Sequence, residues 1–237
     1  YTWSNEGKLM GINWYNCNIS GELDFSAFET LTVLNCSANN ISNLNVTNCS
    51  SLTTLYCDTT SLNSLDVSNC SSLTKLDCYY TLKLNSLNVS NCSSLTKLDC
   101  SDNNLSSLDV TDCSSLTYLN CRANNLNSLD ISKCPLLADL SCGSNNLSSL
   151  NLSNCSSLIK LHCNNNKLST LDVSSCSSLT ELECVSNNLS SLDVSNCSSL
   201  TELDCEDNKL IFLDVSNCPL LAHLSCDPDV LVNRDKD

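Results

Sequence analysis

Basic side chains are scarce in this sequence of 237 residues. Lysine and arginine together number 11 against 26 aspartates and glutamates, which gives a formal net charge of −15 at pH 7. Proteins that bind nucleic acid carry a clustered basic surface, and so do segments that bind anionic membrane surfaces. We therefore expect neither partner. The acidic balance favours a cationic or sugar-like partner or a divalent cation.

Long apolar runs are missing as well. No stretch of 18 consecutive apolar residues occurs, so we expect no transmembrane helix. The sequence begins at Tyr1 and shows no secretion signal, and we interpret it as a mature or trimmed segment.

Closely spaced cysteine pairs are absent, although the chain has 20 cysteines. Structural zinc sites usually draw on such pairs, whereas the cysteine separations here are mostly 8 and 13 residues, and only two histidines are present. No His–Cys pairing stands out that would activate a nucleophile, and no set of nucleophile, base and orienting group interrupts the periodicity. We expect no metal site, no cofactor and no enzymatic activity.

The cysteines instead mark a repeat. They form two series with a step of 21 residues, which lengthens to 22 once in each series. The first series is Cys36, Cys57, Cys78, Cys100, Cys121, Cys142, Cys163, Cys184, Cys205 and Cys226. The second is Cys49, Cys70, Cys92, Cys113, Cys134, Cys155, Cys176, Cys197 and Cys218, and Cys17 belongs to neither.

Residues 95–115, LTKLDCSDNNLSSLDVTDCSS, show the repeating unit. Its two halves share one pattern, because L-x-x-L-x-C-x-x-N in the first corresponds to L-x-x-L-D-V-x-x-C in the second. Apolar residues alternate with period two in each half, which predicts a short strand with its apolar side chains on one face. Two strands per unit make a coil with two walls. One coil cannot bury its own apolar faces, but a stack of coils can.

The stretch L-x-x-L-x-C-x-x-N-x-L resembles the leucine-rich repeat, and the nested halves are similar to a 21-residue class, LxxLxCxxNxLxxLDVxxCxx. The resemblance covers about Leu9 to Cys226. It implies a β-rich, right-handed solenoid of about eleven coils with two short parallel strands per coil. We divide the chain into a divergent first coil or N-terminal cap (1–30), a regular solenoid (31–226) and a C-terminal tail or truncated cap (227–237).

Several residues depart from the pattern. Thr60 and Thr81 stand where the asparagine belongs, and one extra residue in YYTLKL (79–84) predicts a bulge or a wider turn. In the first coil, Trp14 takes the place of the core cysteine, and Cys17 takes the place of the asparagine.

Three roles are open to the cysteines. The favoured one is packing, because a free cysteine behaves as a small buried hydrophobe with a weak S–H donor. Disulfides would have to join like cysteines of adjacent coils, where parallel side chains strain the preferred torsion. Metal binding is the third and least favoured role.

Two polar columns accompany the cysteines. One asparagine per unit is expected to bond the turn backbone of neighbouring coils: Asn39, Asn103, Asn124, Asn145, Asn166, Asn187 and Asn208. The aspartate of L-D-V is expected to point outward and to stack on one face: Asp24, Asp66, Asp109, Asp130, Asp172, Asp193 and Asp214. Hydrogen bonds from flanking hydroxyls would offset the repulsion, and a column of calcium ions is the alternative.

The candidate ligand-binding residues come from the positions that vary from unit to unit. In leucine-rich repeat proteins such positions, around the first strand, usually carry recognition. Here they collect tyrosine, arginine and lysine in the early coils and acidic residues in the late coils. Tyrosine and arginine are favoured at binding hot spots. The candidates are Tyr56, Lys75, Tyr79, Tyr80, Lys97, Asp99, Tyr118 and Arg122, and an ordinary solvated sheet is the alternative.

These observations predict a non-enzymatic extracellular module, secreted or at the cell surface, for protein or glycan binding or adhesion. The alternative is a structural protein that forms filaments or a surface coat by end-to-end stacking. The repeated N-x-S/T sequons make the chain a candidate glycoprotein, for instance at Asn48, Asn69, Asn91, Asn154 and Asn196.

Overall fold

The computed structural model describes residues 1–81 and 83–235. These residues form a β-solenoid of about eleven coils and contain no helix. The strands are β1 (Thr2–Trp3), β2 (Leu9–Asn13), β3 (Ser20–Asp24), β4 (Val33–Asn35), β5 (Asn40–Asn45), β6 (Thr54–Tyr56), β7 (Ser64–Asp66), β8 (Lys75–Asp77), β9 (Ser86–Asn88), β10 (Lys97–Asp99), β11 (Tyr118–Asn120), β12 (Asp139–Ser141), β13 (Lys160–His162), β14 (Glu181–Glu183), β15 (Glu202–Asp204), β16 (Phe212–Asp214), β17 (His223–Ser225) and β18 (Leu231–Asn233).

The first wall of the solenoid is one sheet of twelve strands, in the order β1-β2-β4-β6-β8-β10-β11-β12-β13-β14-β15-β17. All pairs in it are parallel except β1–β2, which is antiparallel. Equivalent residues of successive units face one another, as Leu98 faces Leu119 across β10 and β11. The constant repeat length produces this register, so each position of the unit becomes a column across the sheet.

The second wall is paired less regularly. Short parallel ladders join β3 to β5, β7 to β9 and β16 to β18, and a single bridge joins Asp109 to Asp130. Elsewhere on this wall, the described residues form no ladder, yet the leucine of each L-D-V stays buried, as at Leu171 and Leu192. The predicted second strand is therefore formed in part of the stack, and side-chain packing holds the wall in the rest.

A single apolar core runs through the stack. The leucines of both half-units and the cysteines of both series point into it, and nearly all of them are fully buried. Because each coil covers the apolar face of the next, burial is continuous along the chain.

The cysteines of the second series lie at the corner after the second wall. Each thiol whose contact is resolved points at a backbone carbonyl of the preceding coil. For example, Sγ of Cys92 lies 3.5 Å from the Val67 oxygen, and Sγ of Cys134 lies 3.6 Å from the Val110 oxygen. The thiol thus acts as a weak donor that connects coils, as the packing interpretation predicts.

All twenty cysteines lie within the described residues, and none of them forms a disulfide there. Burial raises the thiol pKa throughout the two series, for instance to about 12 at Cys113 and to about 11 at Cys134. Cys17 differs from the others. It occupies the turn position of an asparagine, as predicted, but its side chain is exposed to solvent.

The asparagine column connects coils through three kinds of hydrogen bond. Nδ2 of Asn145 donates to the Cys142 carbonyl of its own coil and to the Cys121 carbonyl of the preceding coil, both at 3.0 Å. Its Oδ1 accepts the backbone N–H of Leu126, also in the preceding coil, at 3.0 Å. One amide therefore satisfies buried backbone groups of two coils, which confirms the predicted role.

The two threonines in this column keep only part of the network. Oγ1 of Thr60 donates to the Cys57 carbonyl at 2.7 Å, and Oγ1 of Thr81 donates to the Cys78 carbonyl at 3.0 Å. Both bonds lie within one coil, since a hydroxyl has one proton to donate.

The extra residue falls in 79–84, where Leu82 lies outside the described residues. On its far side Leu84 is fully buried, and the N–H of Asn85 donates to the Asn63 carbonyl at 3.0 Å. The regular pairing of equivalent residues therefore resumes directly after the extra residue. The predicted tail (227–237) contains β18, which pairs with β16, and its last two residues, Lys236 and Asp237, lie outside the described part.

We predict that replacing Asn145 by threonine destabilises the protein. The hydroxyl retains the bond to Cys142, but the Leu126 N–H loses its acceptor and the Cys121 carbonyl keeps only its bond from the Asn124 amide. We expect the free energy of unfolding to fall by about 1–3 kcal/mol, the cost of one buried unsatisfied group. Urea titration measures this, with Thr60→Asn as the reverse control that should not destabilise. An unchanged midpoint for Asn145→Thr would show that the amide does not connect the coils.

We also predict that native alkylation labels few thiols. Iodoacetamide should modify the exposed Cys17 rapidly and the partly buried Cys226 slowly, whereas the other cysteines are buried and hold raised pKa values. Intact mass should then rise by at most two adducts, and by twenty after denaturation without reductant. Fewer adducts in the denatured, unreduced protein would reveal disulfides and contradict the structure.

Candidate functional site

The positions that vary between units lie on the outer face of the first wall. In each central strand the middle leucine points into the core, and the residues on either side of it point outward, as in Lys75–Leu76–Asp77. Of the predicted binding residues, the structure places Tyr56, Lys75, Lys97, Asp99 and Tyr118 on this face, in the neighbouring strands β6, β8, β10 and β11. Consecutive coils thus bring together residues that lie about twenty positions apart in the sequence.

Lys75 and Tyr56 form a cation–aromatic pair at one side of this group. Nζ of Lys75 lies 4.7 Å from the centroid of the Tyr56 ring and donates to its hydroxyl oxygen at 3.3 Å. A contact of this kind contributes about 0.5–1 kcal/mol at an exposed site, which favours this arrangement of the two side chains. The pair offers a partner a fixed ring edge and a fixed positive charge.

A shallow depression lies beside this pair. Its lining combines Lys75, Asp77, Lys97, Asp99 and Tyr118. Asp99 is fully engaged there, because its Oδ1 accepts from the N–H and hydroxyl of Ser101 at 3.0 and 2.6 Å, and its Oδ2 accepts from Nδ2 of Asn120 at 3.1 Å. Both carboxylate oxygens of Asp99 are therefore used within the protein, so Asp99 stabilises the depression and offers little to a ligand.

Asp77 was not predicted as a site residue, yet its carboxylate differs from the others in the depression in its hydrogen bonding and its pKa. Its Oδ1 is buried and has no hydrogen-bond partner among the described residues. Partial burial, and then the carboxylates of Asp99 and Asp58, raise its pKa from the ordinary value of 3.8 to about 6. A buried acceptor without a donor costs free energy, so the depression favours a ligand that brings a donor or a positive charge.

The remaining three candidates lie outside the depression. Tyr79 and Tyr80 are exposed in the turn after β8, and Arg122 is exposed in the turn after β11. Tyr80 has a φ of 50°, in the left-handed region, and the equivalent residue of each neighbouring coil shares it, for example Thr59 and Asp102. The nearby Asp58 carboxylate raises the pKa of Tyr79. These side chains form a rim beside the depression.

The aspartates of the second wall are held by their own turns. Oδ1 of Asp109 accepts the N–H of Thr111 at 3.0 Å and its hydroxyl at 2.7 Å, and these bonds lower the pKa of Asp109. The same N–H contact recurs at Asp66 and Asp193. Hydrogen bonds from the turn, the first of the two predicted alternatives, are thus what the structure shows at these carboxylates.

The candidate glycosylation sites occupy one exposed corner of the coils: Asn48, Asn69, Asn91, Asn154 and Asn196. In two of them the amide nitrogen is engaged, since Nδ2 of Asn154 donates to the Ser132 carbonyl at 3.2 Å and Nδ2 of Asn196 donates to the Ser174 carbonyl at 3.3 Å. Their modification stays a prediction.

No protein-family model and no curated protein sequence matches the chain. Among solved structures, it is similar to the functional domain of InlJ from Listeria monocytogenes, which includes a cysteine ladder. The two share 31% sequence identity at a TM-score of 0.76, over 93% of this chain and 56% of the InlJ chain. The chain is a leucine-rich repeat protein. It spans little more than half the length of the InlJ structure.

Two further leucine-rich repeat structures share the fold. YopM, a leucine-rich effector protein from Yersinia pestis, is 23% identical at a TM-score of 0.68, over 94% of this chain and 71% of its own. The ectodomain of the plant membrane receptor kinase GASSHO1/SCHENGEN3 from Arabidopsis thaliana is 20% identical at a TM-score of 0.62, over 88% of this chain and 31% of its own. In the described part of this leucine-rich repeat protein, no helix is long and apolar enough to cross a membrane.

We predict that Asp77→Asn stabilises the protein in a pH-dependent way. Because the folded-state pKa of Asp77 lies above its unfolded value, the ionised carboxyl destabilises the fold, and this cost develops as the pH rises from about 4 to about 6. The amide should raise the free energy of unfolding by about 1 kcal/mol at pH 7.5, after discounting for solvent screening, and by little at pH 3.5.

Urea titrations at both pH values measure this difference. Asp109→Asn is the matched control, since the pKa of Asp109 is lowered by its turn and its amide should bring no gain at pH 7.5. An equal gain for Asp77→Asn at both pH values would exclude the charge as its cause.

Proposed function

We propose that this leucine-rich repeat solenoid is a non-enzymatic protein-binding module, and that its partner lies on the outer face of the first wall. The observation that carries the proposal is the depression at Asp77. Here a fixed cation–aromatic pair, a second lysine and Tyr118 surround a buried carboxylate oxygen that has no donor. Tyrosine is a preferred hot-spot residue, and ordered side chains lose little entropy on binding.

The chemistry of the depression describes the partner. Oδ1 of Asp77 lacks a donor, and burial and neighbouring carboxylates disfavour the ionised form, so the depression suits a partner that supplies a hydrogen-bond donor, preferably a charged one. Lys97 beside it suits a partner carboxylate, and the Tyr118 ring suits an apolar or aromatic side chain. A peptide segment with a basic residue next to an apolar one meets these requirements.

The structural neighbours support a binding role at the level of the fold. The plant receptor ectodomain was solved in complex with CASPARIAN STRIP INTEGRITY FACTOR 2, so a similar solenoid holds a partner. We also propose that this chain acts outside the cell or at the cell surface, an interpretation supported by its likeness to a receptor ectodomain and by its exposed sequons. Adhesion and glycan binding are finer alternatives within this role. End-to-end assembly into filaments stays an untested alternative.

The proposal is tested by comparing two triple variants of the full chain. Tyr56→Ala/Lys75→Ala/Tyr118→Ala removes the side chains around the depression. Ser107→Ala/Ser128→Ala/Ser149→Ala changes exposed residues on the second wall and serves as the matched control. Each protein is immobilised and incubated with solubilised cell-surface proteins, and the bound species are quantified by mass spectrometry.

A partner of the proposed surface should fall by at least about tenfold in the first variant, since a single hot-spot truncation costs about 2 kcal/mol or more. It should be retained by the control. If bound species were lost only with the second-wall variant, or if none depended on the depression, the assignment of the binding face would be wrong.

A further inference from the structure

A cluster of metal-ligating side chains lies on the first wall, in later coils than the depression. His162 ends β13, and Glu181 and Glu183 flank the inward-pointing Leu182 of β14. Nε2 of His162 lies 2.8 Å from Oε1 of Glu181 and 3.9 Å from Oε1 of Glu183. One ligand atom from each of the three side chains lies within 4.8 Å of the others.

The register of the sheet creates this cluster. His162 pairs directly with Glu183, while Lys160 pairs with Glu181, so the Glu181 side chain reaches His162 diagonally across the two strands. Strands hold these three side chains, and parallel pairing fixes their spacing. Among the described residues, this is the sole group of three such ligands.

The distances suit a tetrahedral ion. Nitrogen and oxygen ligands lie about 2.0–2.2 Å from zinc, so two of them at a tetrahedral angle are roughly 3.3 Å apart. The two observed separations from Nε2 lie on either side of this value, and each requires a side-chain adjustment of about half an ångström. All three side chains are partly exposed, which leaves room for water as the fourth ligand.

A polar contact with the preceding strand also orients the imidazole ring of His162. Its Nδ1 lies 3.4 Å from the hydroxyl oxygen of Ser141, on the preceding strand β12. When Nδ1–H donates to that hydroxyl, Nε2 carries the lone pair and faces the two carboxylates. A hydrogen bond to the other ring nitrogen is the usual way in which proteins set the tautomer of a metal-binding histidine.

We propose that His162, Glu181 and Glu183 form a binding site for a divalent transition-metal ion of the zinc class. One imidazole and two carboxylates make a mixed nitrogen–oxygen donor set, whereas calcium and magnesium prefer oxygen ligands alone. Lys160 forms an ion pair with Oε2 of Glu181 at 2.5 Å, which leaves Oε1 directed at His162 for the ion. The site lies on the same wall as the depression but shares no residue with it, so its test does not depend on the proposed partner.

The test is a zinc titration of the full chain, followed by the side-chain resonances of its two histidines in NMR spectra. A Cys17→Ser background removes the one exposed thiol. His223 serves as an internal control, because it lies on β17 of the same wall but belongs to no such cluster in the described chain. The resonances of His162 should shift and saturate with zinc, and those of His223 should remain in place.

Glutamate variants then test which carboxylates bind the zinc ion. Glu183→Gln should lower the zinc affinity reported by His162 by at least about tenfold, a loss typical of perturbed metal sites. Glu202→Gln is the matched control, since Glu202 lies next to Glu181 in register but outside the cluster, and it should leave the titration unchanged. Equal shifts of both histidines, or an unaltered His162 titration in a Glu181→Gln/Glu183→Gln double variant, would overturn the site.

Discussion

The in-register stacking of coils is the constraint on which the rest of the structure depends. The coils carry turns whose backbone groups would be buried without partners, and in most of them an asparagine amide satisfies these groups across the boundary between two coils. This bond requires the turns of successive units to stay in phase, and it is kept across the single 22-residue unit, where Nδ2 of Asn103 donates to the Cys78 carbonyl at 2.9 Å. The constant length then turns each position of the unit into a column, so that core, corner and outer face are continuous along the stack.

That constraint separates two kinds of residue. Residues that face the core or a turn must repeat, since a change there leaves a cavity or an unsatisfied group in two coils at once. Outward residues of the first wall touch mainly their neighbours within the sheet, and they are free to differ. The cation–aromatic pair of Tyr56 and Lys75 and the cluster around His162 both arise where two or three of these free positions in neighbouring coils combine.

The same distinction explains what the sequence could and could not predict. Period-two alternation and the 21-residue step were sufficient to predict the stack of coils, and they favoured buried cysteines and structural asparagines. These features could be predicted because they recur along the chain. The exposed Cys17, the partial pairing of the second wall and the lone oxygen of Asp77 depend on particular neighbours. Oδ1 of Asp77 lacks a donor beside Asp99, its partner in register and itself an acceptor, and His162 reaches Glu181 diagonally across two strands, so neither arrangement is visible in the linear spacing.

The corner thiols have a consequence for how the chain reaches its fold. A disulfide-stapled protein of similar cysteine content must form the correct pairs among many possible ones, which requires an oxidant and time for reshuffling. Here most corner thiols point instead at a carbonyl of the preceding coil, a partner that the stacking of that coil supplies. Because these contacts join neighbouring coils only, the stack can be extended one coil at a time, without a step that selects disulfide partners.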